Sequence, residues 1–403
     1  MRMKFNKSGQ LLLVAAASIG VASLLSACNQ ITGTLTADFV YVSSAKAAGP
    51  DNYGEIDVFE VNSESGHMRQ IPASPFPSGG RNPVAEAPSP DQKNLYVVNE
   101  DDNTIVQFAI GNDGKLYPQN TVNTPGVFPI AAGVSGSNFI VADTYQPLPS
   151  CSPAAPCSGS IAMYPIGTGG FFGAPAVNAS LSTNYWPLIV PGKSSDVVLP
   201  TGIAGTPSGS NVYVAAYDMT AKTGYVFGFS IANGTLSPMN NGVPFAAGVH
   251  PSGIAGDAQG NYVYVTDMGS ASVLGYSTGA NGLTPLAGSP FAAGNQPTSM
   301  VVDQTGKYAY VANGQDSNVT AYSISNGALT RIATYATGTQ PVAIGIDPAL
   351  NQYLYTANFL GNTVSGFQMS ATDGTLINSQ FSPFVTNTNP TAVAAISHAA
   401  VAK

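Results

Sequence analysis

Side chains that can move a proton are scarce in this 403-residue chain, which has three His, 21 Asp plus Glu and 13 Lys plus Arg. Four of them invite a chemical reading. His250 is followed by Asp267, and an imidazole oriented by a carboxylate is a common general base for activating water. Glu86 interrupts a short apolar run opened by Pro83. A carboxylate there is costly to bury unless it is paired or reaches a channel. Arg81 just upstream is its pairing candidate, and the sharper reading of Glu86 is an acid or base of raised pKa. Gly275-Tyr276-Ser277-Thr278-Gly279 has the form of a hydrolase nucleophile motif, but Ser277 ends an alternating strand and no helix follows to build the elbow. Glu100-Asp101-Asp102 offers oxygens for Ca²⁺ but lacks the Gly and the spaced ligands of a calcium loop. With no phosphate loop and no metal-spaced His/Cys cluster, neither a cofactor nor a metal is expected.

The elements that must position these residues follow from a repeat. Tyr310-Val311-Ala312-Asn313 is echoed at Tyr96, Tyr213, Tyr264 and Tyr355, and more loosely at Tyr41 and Ile140. A Pro opening a short apolar strand recurs at Pro83, Pro129, Pro200, Pro251, Pro297, Pro341 and Pro390. Proline is allowed at a strand's first residue, where no ladder donor is needed. Asp113-Gly114, Asn233-Gly234, Asn281-Gly282, Asn326-Gly327 and Asp373-Gly374 are hairpin turns, and alternating runs such as Val319–Ile324 precede them. Each period of about 45 residues thus holds four strands, the size of one propeller blade. The fold class is all-β, a seven-bladed β-propeller of four-stranded antiparallel blades. With 44 Gly, 30 Pro and only 8% charged residues, the composition fits strands and tight turns.

Closure is legible too. The last Pro strand, from Pro390 to Ile396, has no tetrad after it, and the first tetrad, at Tyr41, has no Pro strand before it. The C-terminal strand is expected to join the N-terminal blade beside Phe39–Ser43 and remove the open edge. In such a ring the residue before each Pro rims the channel mouth: Asn82, Phe128, Leu199, His250, Gln296, Gln340 and Asn389. Asn82, Gln296, Gln340 and Asn389 make this rim rich in amides, suited to sugar hydroxyls or to channel water. Residues 144–158 and 174–198 are insertions expected to rise over the mouth, the second carrying Tyr185 and Trp186, which could stack on a sugar or a partner.

Residues 1–27 carry Arg2, Lys4 and Lys7, then an apolar run and small residues, with no acid, and read as an export signal. Leu25-Ser26-Ala27-Cys28 resembles the bacterial lipobox, which implies cleavage before Cys28 and its lipidation, several acyl chains holding the protein on a membrane. The expected organisation is signal 1–27, tether 28–38, propeller 39–397 and tail 398–403. The expected location is the cell envelope, on the periplasmic side of the outer membrane or at the cell surface. Cys151 and Cys157 then remain for a local disulfide in an oxidising compartment. Without the signal, 10 basic residues face 21 acidic ones, which argues against nucleic acid.

The tetrads, the Pro-opened strands and turns such as Asp303-Gln304-Thr305-Gly306 resemble the Tyr-Val-Thr-Asn repeat proteins and the lactonase family of seven-bladed propellers, which includes 6-phosphogluconolactonase-like proteins. His250-Pro251-Ser252 and Thr266-Asp267-Met268-Gly269 are similar to that family's His-Pro-His and Asp-Leu-Gly segments. Ser252 stands in place of the second His, and Pro297-Thr298-Ser299 in place of the family's Pro-Arg-His. The leading expectation is therefore a lipid-anchored propeller that binds a ligand, a glycan or an envelope protein, through its loop-rich top face. The alternative is a lactonase-type hydrolase using His250, Asp267, Glu86 and Arg81 at the channel mouth. An assembly scaffold is a third reading.

Overall fold

The structure is a computed structural model and describes residues 36–45, 52–348 and 350–401. The export signal, Cys28 and most of the tether lie outside the described residues. Seven antiparallel sheets form from the expected repeat. Six contain consecutive strands; Pro83, Pro251, Pro297 and Pro341 open their inner strands, whereas those of Pro129 and Pro200 begin two residues earlier, at Val127 and Val198. The seventh combines the two ends of the chain: Pro390–Ser397 pairs with Thr36–Ser44, which leads on to Glu55–Asn62 and Met68–Gln70. Phe39 lies opposite Ile396 and Ser43 opposite Ala392, so the register of closure is the one anticipated. The strand begins at Thr36, a little before the expected boundary. The only α-helix among the described residues is the short His398–Val401, and no helix among them is long and apolar enough to cross a membrane.

Alternation along each strand sorts side chains into the gaps on either side of its blade. In Thr36–Ser44, Phe39 and Tyr41 pack with Leu95 and Val97 of the next blade. Val40 and Val42 pack the other way, with Tyr353 and Tyr355. A blade alone would leave both of these faces bare, which is why the split blade depends on the ring.

Two repeat markers found in the sequence are joined by hydrogen bonds between neighbouring blades. The tetrad tyrosine of one blade donates to the carbonyl of the hairpin glycine of the next: Tyr41 to Gly114 at 2.9 Å, Tyr264 to Gly327 at 2.9 Å and Tyr310 to Gly374 at 3.1 Å. Tyr96 reaches Gly170 in the same way at 2.8 Å. Gly374 must be glycine on two counts: its φ is +72°, and a Cβ there would lie 2.3 Å from the Tyr308 ring. Tyr355 departs from this pattern and donates to the buried Asp38 carboxyl at 3.0 Å.

A third device is common to the seven inner strands. Each slips register by one residue just after its Pro, and the extra residue bulges toward the channel. In three of the strands the hydroxyl of this residue ties the inner ring together, while that of Thr201 makes no such bond. Ser252 donates to the Pro297 carbonyl at 2.5 Å, Thr298 to that of Pro341 at 2.9 Å, and Thr391 to that of Pro83 at 2.6 Å, the last one across the closure.

Candidate functional site

The inner strands enclose a channel cavity of about 580 Å³. Its wall is mostly Ala, Gly, Val and Ile, with the hydroxyls of Thr201, Ser252, Thr298, Ser299 and Thr391, and its two titratable side chains are Glu86 and His250. The Pro83 blade and the Pro251 blade are three places apart in the ring, so these two residues face the channel from opposite sides. A second space, a groove of about 570 Å³, opens beside the mouth, bordered by His250, Met268 and the loops that carry Ser270, Asn295, Gln296 and Gln315. His250 and Met268 belong to both spaces.

His250 is held by its main chain and by its ring face. The ring stacks on Tyr217, with centroids 4.0 Å apart and planes 17° from parallel. Asp267 does not reach the imidazole. Its Oδ1 accepts from the N–H of His250 at 2.7 Å and of Gly269 at 3.0 Å, and its Oδ2 from the N–H of Val249 at 2.8 Å and the Ser270 hydroxyl at 2.7 Å. With four donors on one buried carboxylate, Asp267 clamps the two mouth loops that carry His250 and Ser270. It therefore positions His250 without orienting its ring. Neither ring nitrogen of His250 makes a hydrogen bond to the described residues.

The residues in register with Asp267 do related work. Asp143 accepts from the N–H of Gly126 at 3.0 Å and Asn313 from that of Gly294 at 3.1 Å. Asn358 bonds the Thr363 and Ser365 hydroxyls at 3.0 and 2.9 Å. The recurrence of Asn and Asp at this place is loop capping.

Glu86 is half-buried in the channel wall, and the Ser43 hydroxyl of the closing blade donates to its Oε1. Burial pushes its carboxyl up to about 7, with the Ser43 hydroxyl pulling the other way. Arg81 is not its partner. The guanidinium sits exposed on the rim and is bound to Asp102, with Nε to Oδ1 at 2.8 Å and Nη2 to Oδ1 at 2.5 Å, and Asp102 Oδ2 also accepts the Arg81 N–H at 2.7 Å. The four residues of the proposed hydrolase site thus separate: Glu86 and His250 face one cavity, Asp267 clamps a loop behind it, and Arg81 lies outside.

The amide rim has a conformational cause. Asn82, Phe128, Gln296, Gln340 and Asn389 all have positive φ, between 53° and 57°, a region that Asn tolerates better than most residues. Asn82 Nδ2 is occupied by Glu100 Oε2 at 2.6 Å, and Asn389 Nδ2 by the Phe359 carbonyl at 3.3 Å. The amides of Gln296 and Gln340 make no hydrogen bond to the described residues.

The second insertion corrects an expectation. Trp186-Pro187 pairs with Ser160 and Ile161 as the fourth strand of the Pro129 blade. Trp186 is 4% exposed and packs with Ile161, Leu188 and Val198. A large apolar ring gains more from that gap than from the wet mouth, so Trp186 is core and offers no stacking surface. Tyr185 is half-buried beside it, its carbonyl accepting from Asn178 and Thr183. The first insertion carries the Cys151–Cys157 disulfide, as expected. Met268, Asn295 and Gln315 are the site residues the sequence reading missed. Their signal was their place in the loops beside His250 and Gln296, and not their type.

The family model described as lactonase, seven-bladed β-propeller, matches residues 39–179 and 188–395. This chain belongs to that lactonase family. The unmatched stretch between the two segments contains Tyr185 and the Trp186–Pro187 strand of this lactonase-family propeller. Solved structures with the same fold include a candidate 6-phosphogluconolactonase of Bacteroides uniformis, with 18% identity over 90% of this chain and 100% of that one at a TM-score of 0.68. They also include the periplasmic gluconolactonase PpgL of Pseudomonas aeruginosa, with 18% identity over 89% and 99% of the two chains and the same TM-score of 0.68. A Lactobacillus plantarum protein matches at 16% identity over 90% and 99%, with a TM-score of 0.67. None of the curated proteins matches the chain.

Proposed function

We propose that this propeller hydrolyses a neutral sugar lactone at the channel mouth, with His250 as the general base. One observation carries the reading: His250, stacked on Tyr217 and clamped by Asp267, borders both the channel and the groove with its ring nitrogens unengaged by the described residues. In the reaction, a water oxygen attacks the lactone carbonyl carbon while its proton passes to the imidazole. The ring C–O bond then breaks, and the imidazolium returns the proton to the leaving oxygen, giving a hydroxy acid. Proton transfer by a placed base is worth about 10²–10⁴ in rate. Family membership supports the reaction class, as do the lactonase names among the structural neighbours. No Lys or Arg lines either space, so a phosphorylated lactone would meet no cation there, which favours the unphosphorylated ring.

The test is hydrolysis of glucono-δ-lactone, followed by proton release, by wild type and His250→Ala. A fall of about 10²-fold or more in kcat/KM is expected. Equal rates at the uncatalysed background would leave the mouth as a binding site for a glycan or partner. The cell envelope is the proposed location, with Cys28 as the lipid-bearing residue. Mass spectrometry of the mature N-terminus should then find an acylated Cys28, and an unmodified residue there would remove the anchor.

A further inference from the structure

A single lactone ring seated against His250 leaves the groove beside it unused. That groove is as large as the channel cavity, about 570 Å³, and is joined to it along His250 and Met268. Apart from His250, its polar lining holds no ionisable side chain. The carboxamides of Gln296 and Gln315 make no hydrogen bond to the described residues. Asn295 spends its Nδ2 on Asp316 Oδ1 at 2.9 Å, and its own carbonyl oxygen accepts no bond from them. The Ser270 hydroxyl is engaged by Asp267 and Ser272, each at 2.7 Å, so it is held in place. Three amides with spare donors and acceptors, no charge, and the Met268 thioether as an apolar strip make up the chemistry that receives the hydroxyls and the carbon face of a sugar. The groove begins where the lactone would end, so its occupant is continuous with the substrate.

We propose that the substrate is a glycosylated lactone, a disaccharide whose lactone ring lies at His250 and whose second sugar fills the groove between Met268–Ala271 on one side and Asn295, Gln296 and Gln315 on the other. This rests on the lactone reading of the mouth. The experiment compares glucono-δ-lactone with its 4-O-glucosyl derivative on wild type and on Gln296→Ala/Gln315→Ala. The wild type should prefer the disaccharide lactone by about tenfold or more in kcat/KM, equivalent to about 1.4 kcal/mol. In the double variant that ratio should fall toward one. A wild-type ratio of one or less, or a ratio untouched in the variant, overturns the proposal. Titration calorimetry with cellobiose separates this from failure of the catalytic reading. If no lactone is turned over, cellobiose binding that is lost in the double variant upholds the groove as a sugar subsite, and absence of binding to wild type overturns it.

Discussion

Asp267 shows how a residue of catalytic type can serve the site without touching the chemistry. Its two oxygens accept three main-chain N–H groups and one hydroxyl. An amide in its place could not accept four such donors, since its nitrogen donates. Asp267→Asn should therefore lower stability by about 1.5–3 kcal/mol, the range for a lost charge-assisted bond, and lower kcat/KM through a loosened His250. Thermal unfolding and lactone turnover measured together check this. Unchanged melting with lost activity would instead make Asp267 a direct partner of the reaction. Glu86 makes the opposite point. From sequence it was an anomaly needing a partner, and Arg81 was the near one in the chain. The structure gives it Ser43, 43 residues away and in the neighbouring blade.

Neighbouring blades here are joined by two contacts that recur at several junctions of the ring. The bulged hydroxyl after the strand-opening Pro is one, and Thr391 is its most consequential copy because it binds Pro83 across the junction of the two chain ends. Thr391→Val keeps the shape and removes the donor. A loss of about 1 kcal/mol in denaturant unfolding is expected. The tyrosine-to-glycine bond is the other. Gly374→Ala must place a methyl against the Tyr308 ring at positive φ, and should cost more than the Thr391 change, by overpacking and strain together. Equal effects would mean that the Tyr308 ring moves aside freely.

The whole ring is sealed by a blade with unusual electrostatics. Burial raises the Asp38 carboxyl, with the nearby Asp347 charge acting in the same direction, and burial raises Asp57 to about 6. Glu86, bonded to the closing blade through Ser43, is raised to about 7. A carboxyl whose folded pKa lies above its unfolded value holds its proton in the native state at a pH where the unfolded chain has lost it. For Asp57 and Glu86 stability therefore falls as pH rises from about 4 to about 7, and Asp38 acts in the same direction. The exposed pairs with lowered carboxyls, Asp102 with Arg81 and Asp113 with Lys115, act in the opposite sense, but as surface ion pairs they contribute little. Melting should be higher at pH 5 than at pH 8, and Glu86→Gln should narrow the gap. A flat profile would mean that these carboxyls titrate normally. Deleting residues 390–403 removes the inner strand of the closing blade and bares the Tyr41 strand. The product is expected to be insoluble, as read by yield and far-UV circular dichroism.

The blade count, the strand order, the joining of the two ends and the Cys151–Cys157 bridge were all legible in the sequence. Each depends on spacing along the chain or on side-chain types that recur with a fixed period, and short-range geometry turns these directly into strands, turns and blades. The membership of the site was not legible to the same degree. Which carboxylate reaches which donor, whether the inserted Trp186 faces water or core, and that Met268, Asn295 and Gln315 share a groove with His250 all depend on contacts between blades or between their loops. Such contacts join residues far apart in the chain, and neighbouring sequence carries no record of the distance that closure of the ring finally sets between them.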